Sequence, residues 1–190
     1  MSAPPASPVT ALILVDVTNS FFLEGMPNFY PAAAEVLEPL RALLARARKT
    51  GRIVVHAVEQ HYPGFDDFEW RKLPKHHFRG EKDADFFEGF APQGKREIMC
   101  PKRRYSAFFA TDLALFLHEQ SVQRLVIAGV KTNVCIRATV QDAFANGFDV
   151  VVPKEATNSN RPNLAEASLE DIARYFGEVA PLERALEMLA

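Results

Sequence analysis

The sequence predicts an α/β domain, a parallel β-sheet covered by helices on both faces. Three observations carry this. Short runs of strand length are apolar almost throughout, as strands buried on both faces require. Between them lie segments whose apolar residues recur at helical spacing. The chain, at 190 residues, is long enough for one domain with a full core. Strands that alternate with helices pair in parallel, because each crossover needs a helix-length connection.

The elements follow in chain order. "MSAPPASPVT" (1–10) is Pro/Ser-rich and lacks a charged segment ahead of an apolar core. It is expected as a flexible lead-in rather than a signal peptide, with a single domain over residues 11–190. "ALILVD" (11–16) is a buried strand. In "AAAEVLEPLRALLARARKTG" (32–51), Val36, Leu37, Leu40, Leu43 and Leu44 fall on one helical face. Pro39 kinks or restarts that helix and Gly51 stops it. "RIVVHAV" (52–58) is the next strand, and residues 59–96 show no sustained periodicity. So long an irregular segment in a compact domain is usually functional. "REIMC" (96–100) is a brief strand and "DLALFLHEQ" (112–120) a helix that Thr111 or Asp112 can cap. "RLVIAGV" (124–130) is a strand, "VCIRATVQDAFANG" (134–147) a helix, and "FDVVVP" (148–153) a fifth strand. Helices over 164–176 and 182–189 complete the chain.

Composition narrows the function classes. The net charge of −2 gives no reason to expect nucleic acid or an anionic membrane surface. No apolar run reaches the roughly 18–20 residues of a membrane span. Only two cysteines occur. Without a secretory signal they point to a reducing cytoplasm rather than a disulfide framework.

In an open parallel sheet, ligands bind beyond the carboxyl ends of the strands. "ALILVD" ends in Asp16, "REIMC" runs through Pro101 into Lys102, and "RLVIAGV" runs through "KTNV" into Cys135. A carboxylate, an ammonium and a thiol are thus aimed at one sheet edge, a set suited to nucleophilic catalysis. A helix N-terminus and a nearby cation can bring a thiol pKa down to roughly 3.5–7.5. Lys102 would supply the cation, and Asp16 could take the thiol proton and return it to a leaving amine. Cys100, just before Pro101, reads as a buried strand residue.

"ILVDVTNSFF", "PKRRYSAFFATDL" and "AGVKTNVCIRAT" together resemble the cysteine hydrolases of the isochorismatase-like superfamily. The resemblance extends over residues 10–180. It implies a three-layer α-β-α fold around a six-stranded parallel sheet, with Asp16, Lys102 and Cys135 as the catalytic triad. It also implies a non-proline cis peptide at Val130–Lys131, which would turn the Lys131 N–H, with that of Cys135, toward an oxyanion. Family members cleave C–N bonds of small amide, carbamoyl or ureido compounds through a thioester, releasing ammonia or an amine. Isochorismatases proper generally lack the nucleophilic cysteine, so Cys135 favours amide hydrolysis here. "KTNVC" and "RYSAFF" resemble the metal-free ureidoacrylate type.

Residues 59–76 resemble instead the metal-binding stretch of nicotinamidases. Glu59-x-His61 stands for Asp-x-His, Asp67 for a second His, and His76 for a last one. This set suits one divalent ion, Zn2+, Mn2+ or Fe2+. No organic cofactor is implied. The competing reading makes His61 and His76 hydrogen-bonding groups that shape a pocket, with His77 an alternative neighbour. Phe22, Trp70, Tyr105 and Phe108, with Phe21 and Phe109, flank the motifs and are candidate walls for a planar substrate. Arg103 and Arg104 could bind a substrate carboxylate or form a solvated face, and Arg137 could point to either the site or a subunit contact. The loop over 155–163 is placed near a subunit interface in relatives. The expected partners are a small-molecule substrate and further copies of the chain, as a dimer or tetramer. Two alternatives stand beside the cysteine amidohydrolase: a metal-assisted nicotinamidase-type deamidase, and a non-catalytic binding or structural member of the fold.

Overall fold

The computed structural model describes residues 8–190. Positions 1–7 of the expected lead-in lie outside the described residues, and its last residue, Thr10, already opens the first strand. The strands are β1 (Thr10–Val15), β2 (Val54–Glu59), β3 (Glu97–Lys102), β4 (Arg124–Val130), β5 (Asp149–Pro153), β6 (Thr157–Asn158) and β7 (Glu178–Ala180). The main path runs β3-β2-β1-β4-β5-β7, and every pair in it is parallel. This is the expected six-stranded sheet. The two-residue β6 is an addition, pairing with β4 at Gly129 and Val130, beyond the β5 ladder.

The helices are α1 (Asn19–Phe22), α2 (Leu37–Thr50), α3 (Leu113–Glu119), α4 (Arg137–Ala145), α5 (Pro162–Tyr175) and α6 (Leu182–Met188). Alternation along β1 divides the core into two layers. Ala11, Ile13 and Val15 pack with Leu117, Val140 and Ile172 of α3, α4 and α5. Leu12 and Leu14 pack with Leu40, Leu43 and Ala185 of α2 and α6 on the other face. Every residue of β1 and β2 is buried, which is why these strands read as continuous apolar runs.

Local chemistry explains the boundaries. A 3-10 turn over Pro31–Val36 precedes α2, so Pro39 falls in the helix's first turn, where its missing N–H costs nothing. Gly51 closes α2 in the left-handed conformation. Pro101 is tolerated because β3 is an edge strand. Gly129, at φ +123°, lies so close to β1 that a Cβ there would sit 2.1 Å from the Val15 carbonyl oxygen. No helix of the described residues is long and apolar enough to cross a membrane.

Chain order reverses at β1: β2 and β3 lie to one side of it, β4 and β5 to the other. The crevice past the carboxyl ends of β1 and β4 is therefore the topological switch point, where such sheets bind ligands.

Candidate active site

The three polar strand ends meet in that crevice. Asp16 follows β1 directly and adopts φ +55°, a left-handed conformation that Asp tolerates better than most residues. Its Oδ1 accepts the Glu59 backbone N–H at 2.8 Å, which ties it to the end of β2. Lys102 is the last residue of β3, and its Nζ lies 2.8 Å from Asp16 Oδ2 and 3.7 Å from Cys135 Sγ. Cys135 sits in a π-turn over Thr132–Ile136 that precedes α4, rather than in the first turn of the α-helix itself. Asp16 is 0% exposed, Lys102 1% and Cys135 3%. The Val130–Lys131 peptide is cis. The Lys131 N–H has no backbone acceptor among the described residues.

Burial sets the protonation states. It pushes the Cys135 thiol well above its ordinary value, opposed by Lys102 and reinforced by the negative charges of Asp16 and Glu59. Burial also raises Asp16, again against the pull of Lys102. On Lys102 burial works the other way, but Asp16, Cys135 and Glu59 outweigh it and the ammonium keeps its proton. The direction is thus opposite to the lowering expected from sequence, and attack by the sulfur calls for a base. Asp16 is placed to be that base. Cys100 is buried in β3, and burial pushes its thiol up to about 11.

A second polar cluster adjoins this one. Glu59, His61, Glu69 and His76 bring ligand atoms within 4.8 Å of one another, all four buried. The sequence reading put Asp67 in the position that Glu69 occupies, and the structure corrects it. Asp67 stands one layer out: Oδ1 accepts the Glu69 N–H at 3.1 Å, and Oδ2 lies 3.0 Å from His61 Nδ1. Arg103 and Arg104 each pair with it at 2.9 Å, which accounts for both arginines. Burial opposes the Asp67 charge, but the Glu69 N–H, Arg103 and His61 outweigh it and hold the carboxyl well below its usual range.

Whether this cluster fits a metal can be judged from its own hydrogen bonds. His76 Nδ1 lies 2.6 Å from the Pro74 carbonyl, which only accepts, so Nδ1 donates there. His61 Nδ1 donates in the same way to the Asp67 carboxylate. In neutral rings both Nε2 lone pairs then face one carboxylate oxygen, Glu59 Oε1, at 2.9 and 3.0 Å. Only protons or a cation can reconcile that convergence. Beside it both oxygens of Glu69 are buried with no hydrogen-bond partner among the described residues. Burial and the Glu59 charge push this carboxyl up to about 7. Two imidazoles and two carboxylates, with Asp67 orienting one ring, fit a divalent ion such as Zn2+. No motif pointed to Glu69. The available signal was Asp67-x-Glu69, a turn cap that fixes the residue two positions on.

A cavity of about 140 Å3 opens onto the Cys135 thiol and is lined by Phe21, Glu59, His76, Tyr105, Lys131 and Val134 among others. Of the expected walls only Phe21 and Tyr105 belong to it. Phe22 points into the α2 layer against Phe87, with ring centroids 5.4 Å apart. Phe108 packs on Phe148 beneath the opposite face, and Phe109 is exposed. Trp70 stands behind the metal-type cluster, 5.6 Å from His61 and 5.2 Å from Phe78. His77 is buried outside the cluster, with Nε2 3.0 Å from Thr18 Oγ1. Arg137 turns away to pair with Asp171 of α5 at 2.8 Å. In the 155–163 loop, Asn158 accepts the Tyr30 hydroxyl at 2.7 Å and so braces the wall behind Lys131.

Known proteins resemble this chain along nearly its whole length. The Isochorismatase domain family matches residues 10–184. A maleamate amidohydrolase from Pseudomonas putida is 36% identical, over 94% of this chain and 86% of its own length. A ureidoacrylate amidohydrolase from Cronobacter turicensis is 30% identical, over 95% of this chain and 88% of its own. Among solved structures, a nicotinamidase/pyrazinamidase from Bacillus subtilis superposes with a TM-score of 0.82 at 32% identity, covering 90% of this chain and 98% of that one. A pyrazinamidase from Pyrococcus horikoshii, in complex with zinc, gives 0.82 at 26% identity, over 92% of this chain and 99% of that one.

Proposed function

The chain belongs to the isochorismatase family as one of its amidohydrolases, and from that premise we propose that it hydrolyses the C–N bond of a small amide, ureido or carbamoyl compound through a thioester on Cys135. The observation that carries this is the buried Asp16–Lys102–Cys135 cluster at the switch point of the sheet, opening onto a small cavity.

The steps follow from the protonation states. Asp16 takes the Cys135 proton as sulfur attacks the carbonyl carbon. Lys102 holds the anionic pair together throughout, since one negative charge moves between carboxylate and sulfur beside its ammonium. The N–H groups of Lys131 and Cys135 receive the oxyanion, and donors of this kind are worth roughly 3–4 kcal/mol each. Asp16 then passes its proton to the leaving nitrogen, the C–N bond breaks, and ammonia or an amine departs. Water, deprotonated by Asp16, attacks the thioester, the acid product leaves and the thiol is restored.

Glu59, His61, Glu69 and His76 would hold a divalent metal, with Asp67 orienting His61. When bound, the ion would act as a Lewis acid that polarises or positions a substrate oxygen or nitrogen. This favours the metal-assisted reading over the metal-free one. The same proposal carries a cytoplasmic dimer or tetramer, which light scattering of the purified protein tests.

The test is ammonia release from nicotinamide, maleamate, ureido acids and simple carbamoyl amines, by the wild type and Cys135→Ala, each with and without added Zn2+. Turnover of at least one amide by the wild type and none by the variant is expected. Equal turnover by both would overturn the mechanism. Wild-type silence on every substrate, with a metal present, would favour the binding-only alternative.

A further inference from the structure

We propose that the Lys131 side chain is an anion site, and that the natural substrate is a small amide carrying a carboxylate at the end remote from the scissile bond. The inference rests on the amidase reading above and deepens it by naming the substrate class.

Lys131 lines the cavity that opens on Cys135, and among the described residues it is the one lysine or arginine that does so. Its backbone N–H is assigned above to the oxyanion, and its half-buried side chain belongs to the cavity wall. There the ammonium lies over two aromatic faces, 5.6 Å from the Phe21 centroid and 5.5 Å from that of Tyr30. Such faces hold a cation in place without neutralising it.

No described carboxylate serves as its partner. Glu59, the carboxylate in the cavity wall, is already shared by His61, His76 and Lys102. Burial lowers the Lys131 pKa, and no acid pulls it back; Cys135 is the sole group that favours the charge. A half-buried ammonium with no counter-ion beside a catalytic thiol is stabilised when an anionic ligand arrives. The rest of the chain's cations near the site are engaged: Lys102 with Asp16, and Arg103 and Arg104 with Asp67.

Size restricts the anion. The cavity, about 140 Å3, is well below the ~300–1,000 Å3 of pockets for drug-sized ligands. A single ammonium matches a single negative charge, so a carboxylate a few atoms from the amide fits better than a phosphate. A neutral aromatic amide would leave Lys131 desolvated and unpaired.

The experiment compares maleamate with maleic diamide, the same carbon frame with and without the charge. kcat/KM is measured for both on the wild type, Lys131→Met and Lys131→Arg. The wild type is expected to prefer the anion by about tenfold or more, and Lys131→Met to erase most of that ratio through KM. Lys131→Arg should retain it, because the charge remains. A wild type without preference, or a Lys131→Met variant with an unchanged ratio, would overturn the proposal.

A second measurement is independent of turnover. Maleate should protect Cys135 from iodoacetamide in the wild type at about one-tenth of the concentration needed in Lys131→Met. Equal protection, or none in either protein, would overturn the anion site. Selective protection in a protein that releases ammonia from no amide would support the anion site and count against the amidase reading alone.

Discussion

Replacing Lys102 by Met should expose the electrostatic design of the site. The side chain is 1% exposed, and its ammonium lies 2.8 Å from Asp16 Oδ2 and 4.0 Å from Glu59 Oε2. Without it, Asp16 keeps a single hydrogen bond, from the Glu59 N–H. Two carboxylates then face one another in the interior with no cation between them. Breaking a buried pair on one side costs roughly 3–5 kcal/mol, and the second carboxylate places this case toward the upper end. That is a large part of the ~5–15 kcal/mol that holds a domain together. The same change raises the Asp16 pKa further above its unfolded value. A carboxyl raised on folding stabilises fully below the unfolded pKa, and that contribution is lost as pH rises toward the folded value. The variant should therefore lose least at about pH 4 and most at pH 7. Adding Asp16→Asn to Lys102→Met should restore most of the stability and none of the activity. Urea melts of the three proteins across this pH range supply the readout. A Lys102→Met protein as stable as the wild type at pH 7, or a double variant no more stable than the single, would refute the reasoning.

Three further outcomes are expected. In competition with a zinc chelator, Glu69→Ala should lose more affinity for Zn2+ than Asp67→Asn, whose outer-layer loss should be about 10- to 100-fold; the reverse order would restore Asp67 as a ligand. Gly129→Ala should lower stability by more than about 4 kcal/mol in denaturant, because its Cβ would enter backbone rather than a flexible side chain. Glu97, which accepts two bonds from Arg48 at 2.7 and 2.9 Å, is lowered to about 2, its bonds to Arg48, the Gln93 N–H and His56 outweighing burial. A depressed carboxyl stabilises above its unfolded pKa and ceases to as pH falls through the folded one. The wild-type advantage over Glu97→Gln, roughly 3 kcal/mol at pH 7, should therefore vanish between pH of about 4.5 and 2.

The legible parts of this protein are those where one physical demand governs several residues. β1, β2 and β4 read plainly because burial on both faces forces apolar runs, and their ends locate Asp16 and Cys135. Lys102 is found just past the third apolar run, although Pro101 hides the last two residues of β3. β7 was missed in the residue pattern: three residues, one of them exposed and one half-buried, carry no alternation. Phe22 was preferred over Phe21 because a single turn of helix turns neighbours about 100° apart, and nothing in "NSFF" says which faces the thiol. Glu69 was hidden for a different cause. Its position depends on a 3-10 turn over Phe68–Arg71, within a segment that has no periodicity of its own. The upward push on the thiol is not legible in sequence because it comes first from burial, and then from two acids, Asp16 and Glu59, that are close in space but far apart in sequence.

The most direct test of the central claim is the intact mass of the protein, quenched in acid while turning over an amide substrate. A covalent acyl group on Cys135, with the mass of substrate less ammonia or the departing amine, is the predicted result, and Cys135→Ala should carry none. Steady turnover with no adduct on Cys135, or turnover persisting in Cys135→Ala, would contradict it.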